Sequence, residues 1–503
     1  MNETPTEIKT VTVVGAGSAG LLSAMTLKRA FPGLSVTIVY SPDVPVIGVG
    51  ESTTALFPPY LHSSLGIDFG EFFREVDASW KLGVRFDWGD PNDTHFNYPF
   101  DSCMSTKQPQ LRKTPPYYCM SDWSDASRGW ALMDRGSSPC IRNGDGTVSL
   151  SDAFGYHIEN RSFTAYLTKK AKELGIAFIA GDVIDAAQSS SGSITELILQ
   201  SGDRVSADLI VDCSGFRSQL LHEKLQEPFV SYSESLFCDR AIVGQWKRAD
   251  DNDPVLPYTT TETMDHGWSW RIDFPTHVAR GYVFSSAFCT DDAGTAEFKK
   301  CNPQLADDVR VVSFKCGRYR NFWRRNVVAI GNASGFVEPL EATALHLLVE
   351  QIRLVCRYLS ETDLRLFPNM ETVANERYRL LWDEVRDFLA VHYRFNRKRD
   401  TPFWKHCREH TDLAGAEEMV DLYRRFGPST LCTTPLPSDH VFGYDGFMAM
   451  LIGQRVPTSY VPKLSAADNE SWLTHQSRVR EQVRSALPMD VALTRLGSQR
   501  PPA

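Results

Sequence analysis

The chain has 11 cysteines in 503 residues, an odd number, and no two of them form a C-x-x-C pair. Scattered thiols of this kind argue against a disulfide framework and against a compact zinc site, and they fit a reducing cytoplasm. No uninterrupted apolar run approaches the ~18 residues that a membrane span requires. The opening MNETPTEIKT lacks the basic-then-apolar order of a secretion signal, so a cytoplasmic protein is expected. The closing LGSQRPPA carries no lipidation box and reads as a loose tail. There is no long basic block, and 53 Lys plus Arg against 62 Asp plus Glu leave a net charge of −9. That balance speaks against wrapping nucleic acid or anionic lipid. No cluster of His, Cys and carboxylates has metal-ligand spacing, and no G-x-S-x-G elbow is present, so neither a metal nor a serine nucleophile is expected.

What is present is an ordinary globular composition, 42% hydrophobic and 23% charged, with 11% aromatic residues to fill a core and line a pocket. At ~150 residues per domain the length suggests about three domains, or one large fold with insertions. VTVV (11–14) is a β-branched run that reads as a buried parallel strand. A helical stretch, Leu21 to Ala30, and a second apolar run, SVTIVY (35–40), complete a βαβ unit. ITELILQ (194–200), the turn SGD (201–203) and LIVDCSG (209–215) suggest a hairpin feeding another buried strand. NVVAIGNASGF (326–336) reads as a strand entering a glycine-containing turn and then a helix. Residues 100 to 150, rich in Ser, Pro, Tyr and Gly, look like an irregular excursion over the surface. From about 350 apolar residues recur at helical spacing.

Gly15, Gly17 and Gly20 form G-x-G-x-x-G between the VTVV strand and the following helix, with Ser18 and Ala19 inside the loop. The first glycine permits the tight turn, the second lets backbone approach a pyrophosphate, and the third lets helix pack on strand. The helix N-terminus then faces the phosphates with unpaired N–H groups. In this context the loop points to a dinucleotide. The acid expected at the end of the second strand is missing, because Tyr40 and Ser41 stand there with Asp43 just beyond. Only one such loop exists, so a second, nicotinamide-binding fold is unsupported, and the expectation is a single flavin that the chain does not reduce itself.

PVIGVGEST (45–53), ASWKLGVRFDWG (78–89), GWSWRI (267–272) and GNASGFVEPLEATAL (331–345) together resemble the flavin-dependent halogenases, in the branch acting on tryptophan and other indoles. DCSGFRS (212–218), GYVFSSAF (281–288) and RDFLAVHYRFNRKRDTPFW (386–404) resemble the same branch, in the same order. The resemblance implies an α/β (α+β) class: a flavin-monooxygenase-like, Rossmann-type FAD-binding fold with a sheet-rich insertion and a helical C-terminal module. The FAD-binding region would span 1–350, with substrate-side insertions at about 95–150 and 240–305, and the helical module 351–503 would contribute to the substrate pocket.

By the same resemblance Lys81 presents the halogen, since an amine can capture or orient hypohalous acid. Glu341 is the carboxylate that supports positive charge on the attacked ring and removes its proton. Thr343 and Ala344 match the residues whose backbone N–H groups hold the halide, an anion site that a helix N-terminus favours. Gly48, Val49, Gly50, Glu51 and Ser52 match the flavin-facing loop, and Gly331 and Asn332 match the ribityl side. Trp268 and Trp270 project from one face of a strand and match a wall between flavin and substrate. Asp273 stands where the family usually has proline. Tyr98 and Phe100 resemble the segment that sandwiches an indole, with Tyr98 in place of histidine. Tyr444 and Phe447 fall in the region that holds the amino-acid end of tryptophan, but the tyrosine pair and acid for an ammonium-carboxylate substrate are not recognisable there. His157 is assigned no role.

The expectation is an FADH2-dependent enzyme that chlorinates or brominates an electron-rich ring, indole or an indole derivative. It would use FAD, O2 and chloride or bromide, with a separate flavin reductase supplying FADH2. No nucleic acid or membrane partner is expected, and a homodimer is compatible with the sequence. The alternatives are a flavin-dependent aromatic monooxygenase and a non-catalytic flavin-binding module.

Overall fold

In a computed structural model, the structure describes residues 6–44, 50–105, 107–151, 153–248, 253–305, 309–367, 369–460 and 463–498. Among them no helix is long and apolar enough to cross a membrane. The nucleotide-binding sheet orders Ala177–Ala180, Ser35–Tyr40, Thr10–Val14, Leu209–Asp212 and Val327–Ala329 in parallel, and Trp323–Arg324 closes it antiparallel. Alternate residues go to opposite faces, as the period of a strand requires. Val11, Val13 and Ile38 join the main core beneath helix Ser18–Ala30, while Val14, Val39 and Ile210 pack against the small sheet at 183–206. Both faces are covered, which is why these strands are continuous β-branched runs. The hairpin at 194–206 and the strand after it match the sequence pattern. The turn after Val327–Ala329 does not lead straight into a helix; two short 3-10 turns and a two-residue strand intervene before Thr343–Glu361.

A second sheet of seven strands carries the expected tryptophan pair. Its order is Arg310–Ser313, Arg240–Lys247, His277–Phe284, Gly267–Asp273, Thr259–Met264, Gly83–Asp87, Phe96–Pro99. Strand Ala78–Lys81 belongs instead to a three-stranded sheet with Gly155–Ile158 and Glu51–Ser52. The chain changes sheets at Leu82, whose N–H bonds to Pro257 O at 2.6 Å. Lys81 thus sits at an internal corner between two sheets.

The region from 100 to 150 is not a surface excursion. It holds helices Pro115–Cys119 and Arg128–Asp134 and buries Tyr118, Trp130, Leu132 and Met133. Its cover comes from the far end of the chain. Trp472 stacks on Tyr118 at 5.0 Å, and strand Ala486–Pro488 pairs with Ser137–Arg142. Pairing across some 350 residues leaves no local periodicity to read. The helical part is built around Thr343–Glu361 and the long helix Met370–Phe395, with helix Gly443–Gly453 against Phe96–Pro99. The boundary drawn at 350 falls inside the continuous helix Thr343–Glu361.

Candidate active site

The glycine loop divides its work as its spacing requires. A Cβ on Gly20 would stand 1.9 Å from Gly15 O, so the third glycine is demanded by helix-on-strand packing. A Cβ on Gly17 would meet nothing within 4 Å. Gly17 is also the N-cap of helix Ser18–Ala30, with no side-chain cap and no acid in the first turn. Unpaired N–H groups therefore face open space, an arrangement that fits the pyrophosphate of FAD. Gly48 and Val49 lie outside the described residues. Gly50 has φ +76°, and a Cβ there would strike the Phe274 ring at 2.8 Å. Glu51 is half-buried in the strand beside it, and loss of solvation there pushes its carboxyl up to about 7. Ser52 Oγ turns to Thr259 Oγ1 at 3.0 Å. Gly331, at φ +67°, packs towards Ala19, and Asn332 beside it is half-buried.

Lys81 is wholly buried and its Nζ has no hydrogen-bond partner among the described residues. It lies 5.1 Å from the centre of the Phe100 ring. Burial pulls the amine down to about 7, and the nearby Glu341 charge partly opposes that shift. An orphaned buried amine is costly in folding and is suited to reaction with something that arrives later.

Glu341 is 2% exposed and closes the short 3-10 turn Pro339–Glu341. Its Oε1 lies 2.8 Å from His392 Nε2. Ala342 then adopts φ 58°, a left-handed kink that starts helix Thr343–Glu361 with no side-chain cap. The N–H groups of Thr343 and Ala344 fall in this uncapped first turn. Thr343 is buried, its Oγ1 without a hydrogen-bond partner among the described residues, and Ala344 is exposed. These are features of an anion site.

Trp268 and Trp270 do share a face, their rings 6.0 Å apart. Trp270 lies over Gly281, where a Cβ would come within 1.8 Å of the indole. Trp268 Nε1 donates to Glu338 Oε2 at 2.6 Å, and Tyr393 OH donates to the same oxygen. Burial raises that carboxyl to about 7. The sequence reading missed Glu338; its only signal was an acid beside Glu341, the first of the two in VEPLEAT. Asp273, the departure from proline, is fully buried, and both Arg248 and Arg271 pair with it. Its carbonyl accepts from Ser79 Oγ at 2.7 Å, so it also backs the strand that carries Lys81.

Tyr98 and Phe100 sit at the end of strand Phe96–Pro99, on the Lys81 side. Tyr98 lies 6.2 Å from Phe388. Burial raises its hydroxyl well above the usual range, with the Glu341 and Asp445 charges adding to the effect. Phe447 meets Phe388 at 5.3 Å, and Phe442 stacks on Phe388 at 3.8 Å. Helix Gly443–Gly453 comes so close that a Cβ on Gly446 would lie 2.9 Å from Tyr98 OH. Tyr444 OH donates to Pro428 O at 2.9 Å, and Asp445 accepts from the N–H groups of Met104 and Ser105. Both polar groups of this helix turn are thus occupied by the fold. His157 bonds to Thr259 Oγ1 at 2.9 Å and lies near Lys81, whose charge, after burial, helps hold it well below its usual pKa.

Lysine, carboxylate, uncapped turn, tryptophan pair and glycine loop thus occupy one fold, and the model of the tryptophan halogenases matches residues 10–469. The chain belongs to the tryptophan halogenase family. It is 31% identical to tryptophan 7-halogenase KtzQ of Kutzneria sp. (strain 744), over 87% of this chain and 85% of that protein. Among solved structures it is similar to MibH, a lathipeptide tryptophan 5-halogenase, with TM-score 0.89 at 34% identity, covering 99% of this chain and 95% of that one. BrvH, a flavin-dependent halogenase from Brevundimonas sp. BAL3, superposes with TM-score 0.85 at 26% identity, over 97% and 99% of the two chains. Flavin-dependent halogenases of the tryptophan family are enzymes, and this halogenase has their FAD-binding fold.

Proposed function

We propose that this halogenase chlorinates or brominates indole, or an indole carried by a larger molecule, with Lys81 presenting the halogen and Glu341 serving the ring. The observation that supports this most is the buried amine without a hydrogen-bond partner among the described residues, next to Glu341 and under Phe100. Gly15, Gly17, Ser18, Ala19 and Gly20 would hold the pyrophosphate of FAD, and Gly50, Glu51, Ser52, Gly331 and Asn332, with Gly48 and Val49, the rest of it. When bound and reduced by a separate flavin reductase, FAD supplies with O2 and halide the hypohalous acid that the chemistry needs. The first turn of Thr343–Glu361 would hold the halide through the N–H groups of Thr343 and Ala344. Trp268 and Trp270, locked by Glu338 and Gly281, would keep substrate away from the flavin. Near pH 7 a share of Lys81 is neutral amine, which can bond to the halogen. Tyr98, Phe100 and Phe447 would hold the ring, and orientation against Lys81 would choose the carbon attacked.

The substrate assignment follows from what the pocket lacks. A buried zwitterion needs paired charges, at a cost of several kcal/mol when they are absent, while Tyr444 and Asp445 already serve the fold. A ring without an adjacent amino-acid end suits this site better than free tryptophan does. In this division of labour 1–350 binds FAD and 351–503 helps to enclose the ring; the reductase and any homodimer stand as partners of the working enzyme.

The test supplies reduced FAD, O2, bromide and indole, and reads mass spectra for the doubled isotope pattern of a brominated product. Lys81→Ala should abolish that product while flavin oxidation continues. Brominated product from the variant would refute the lysine role, and hydroxylated product from the unmodified protein would make it a monooxygenase.

A further inference from the structure

His392 lies in the long helix Met370–Phe395, is 1% exposed, and has no part in the scheme above. Its two ring nitrogens have different partners. Nδ1 is 2.9 Å from the main-chain oxygen of Phe388, one turn earlier, and Nε2 is 2.8 Å from Glu341 Oε1. A carbonyl oxygen only accepts, so Nδ1 carries a proton. In the neutral imidazole Nε2 is then a bare lone pair, and a lone pair facing an ionised carboxylate oxygen makes no bond. One proton must lie between them, as imidazolium on carboxylate or as imidazole on carboxylic acid. The ring is held in this orientation by Phe388, Phe86 and Trp88, with centroids at 4.9, 5.4 and 6.1 Å, none of which competes for Nε2. Among the described residues, Lys81 and Tyr98 are titratable groups that feel the Glu341 charge.

We propose that His392 keeps one proton on the Glu341–His392 pair, and that Glu341 delivers this proton to the oxygen of hypohalous acid as the halogen moves to Lys81. The proposal rests on the reading of Lys81 given above. In the first step the neutral amine bonds to the halogen, the halogen–oxygen bond breaks, and the pair's proton converts the departing hydroxide into water. The amine is left as a positively charged haloammonium and the pair as carboxylate beside neutral imidazole. In the second step a ring carbon takes the halogen, and the electrons of the nitrogen–halogen bond return to Lys81. In the third the cationic ring gives its C–H proton to Glu341, which restores the shared proton. The sum is hypohalous acid plus arene giving haloarene plus water. The pair without its proton leaves two lone pairs facing each other at hydrogen-bond distance, and taking up the ring proton restores the hydrogen bond between them. His392 is thus a positioning residue that acts through Glu341.

Two measurements test this. In the apoprotein with ¹⁵N-labelled histidine, the His392 spectrum should show Nδ1 protonated and a far-downfield proton on the Nε2–Oε1 line, absent in Glu341→Gln. In bromination of indole by the holoenzyme, His392→Asn should lower kcat by about a hundredfold and leave KM for indole within about twofold. Ring-deuterated indole should then show an isotope effect that the unmodified enzyme lacks, a readout that a purely structural role would not move. A bare Nδ1, or His392→Asn with unchanged kcat and no isotope effect, overturns the proposal and leaves the Lys81 reading standing. If the unmodified enzyme forms no halogenated product from any indole, the Lys81 reading falls and this proposal falls with it. If His392→Asn does not fold, the spectrum of the unmodified protein decides.

Discussion

The chemistry of a single side chain, Lys81, couples stability to reactivity. Its amine titrates near 7 in the folded protein against an ordinary value of 10.5. Between those values the unfolded chain binds more protons, so stability from this group rises with pH through that window, and the cost is complete below about 7. Lys81→Met should stabilise the protein below neutrality by several kcal/mol, roughly, seen as a higher Tm, and the gain should shrink as pH approaches 10.5. Thermal scans of both proteins at several pH values check this. Halogenation should rise with pH as well, increasing through about pH 7 as the amine loses its proton, which a kcat profile measures. Lys81 itself was legible only by resemblance, since a lone lysine between Trp80 and Leu82 is more often a snorkelling surface residue. Its burial comes from the change of sheet at Leu82, which no local pattern announces.

Strands and helices carry the second set of consequences. Gly17→Ala adds a methyl group to open space at an ordinary negative φ, so the apoprotein should keep its Tm while FAD binding weakens. Gly20→Ala puts a methyl group 1.9 Å from Gly15 O and should unfold the loop instead. Flavin fluorescence titration and thermal melting separate the two. The glycine spacing was readable because backbone geometry alone demands it. Asp273 was readable only as a departure. In the structure it anchors Arg248 and Arg271 at the end of the tryptophan strand, and its carbonyl bonds the strand of Lys81. Asp273→Asn should cost about 3 kcal/mol, because two arginines lose the charge they face. A denaturant titration would show the loss, and indole bromination would fall with it as the Lys81 corner loosens.

At the scale of the whole molecule, the last helices close the middle of the chain. Trp472 stacks on Tyr118, Gln476 Nε2 donates to Asp122 Oδ2 at 2.8 Å, and Ala486–Pro488 extends the sheet of Ser137–Arg142. Deleting residues 464–503 should therefore open 101–150 to limited proteolysis, with cleavage mapped by mass spectrometry, and should abolish halogenation. Protection of that segment after the deletion would show that these contacts are dispensable.

Local sequence determined the parallel nucleotide-binding sheet, its glycine turn and the amphipathic helices, because each depends on the period of neighbouring residues and on backbone sterics. It also carried the family motifs in order, and with them the chemistry expected of Lys81, Glu341 and the tryptophan pair. Tertiary structure alone decided which polar groups are already taken and which are left over. His392 reaches Glu341 across 51 residues, Asp445 is consumed by Met104 and Ser105 across about 340, and Lys81 Nζ is left with no hydrogen-bond partner among the described residues. Such pairings depend on packing between distant elements, where burial turns an ordinary carboxylate, imidazole or amine into a group whose proton matters.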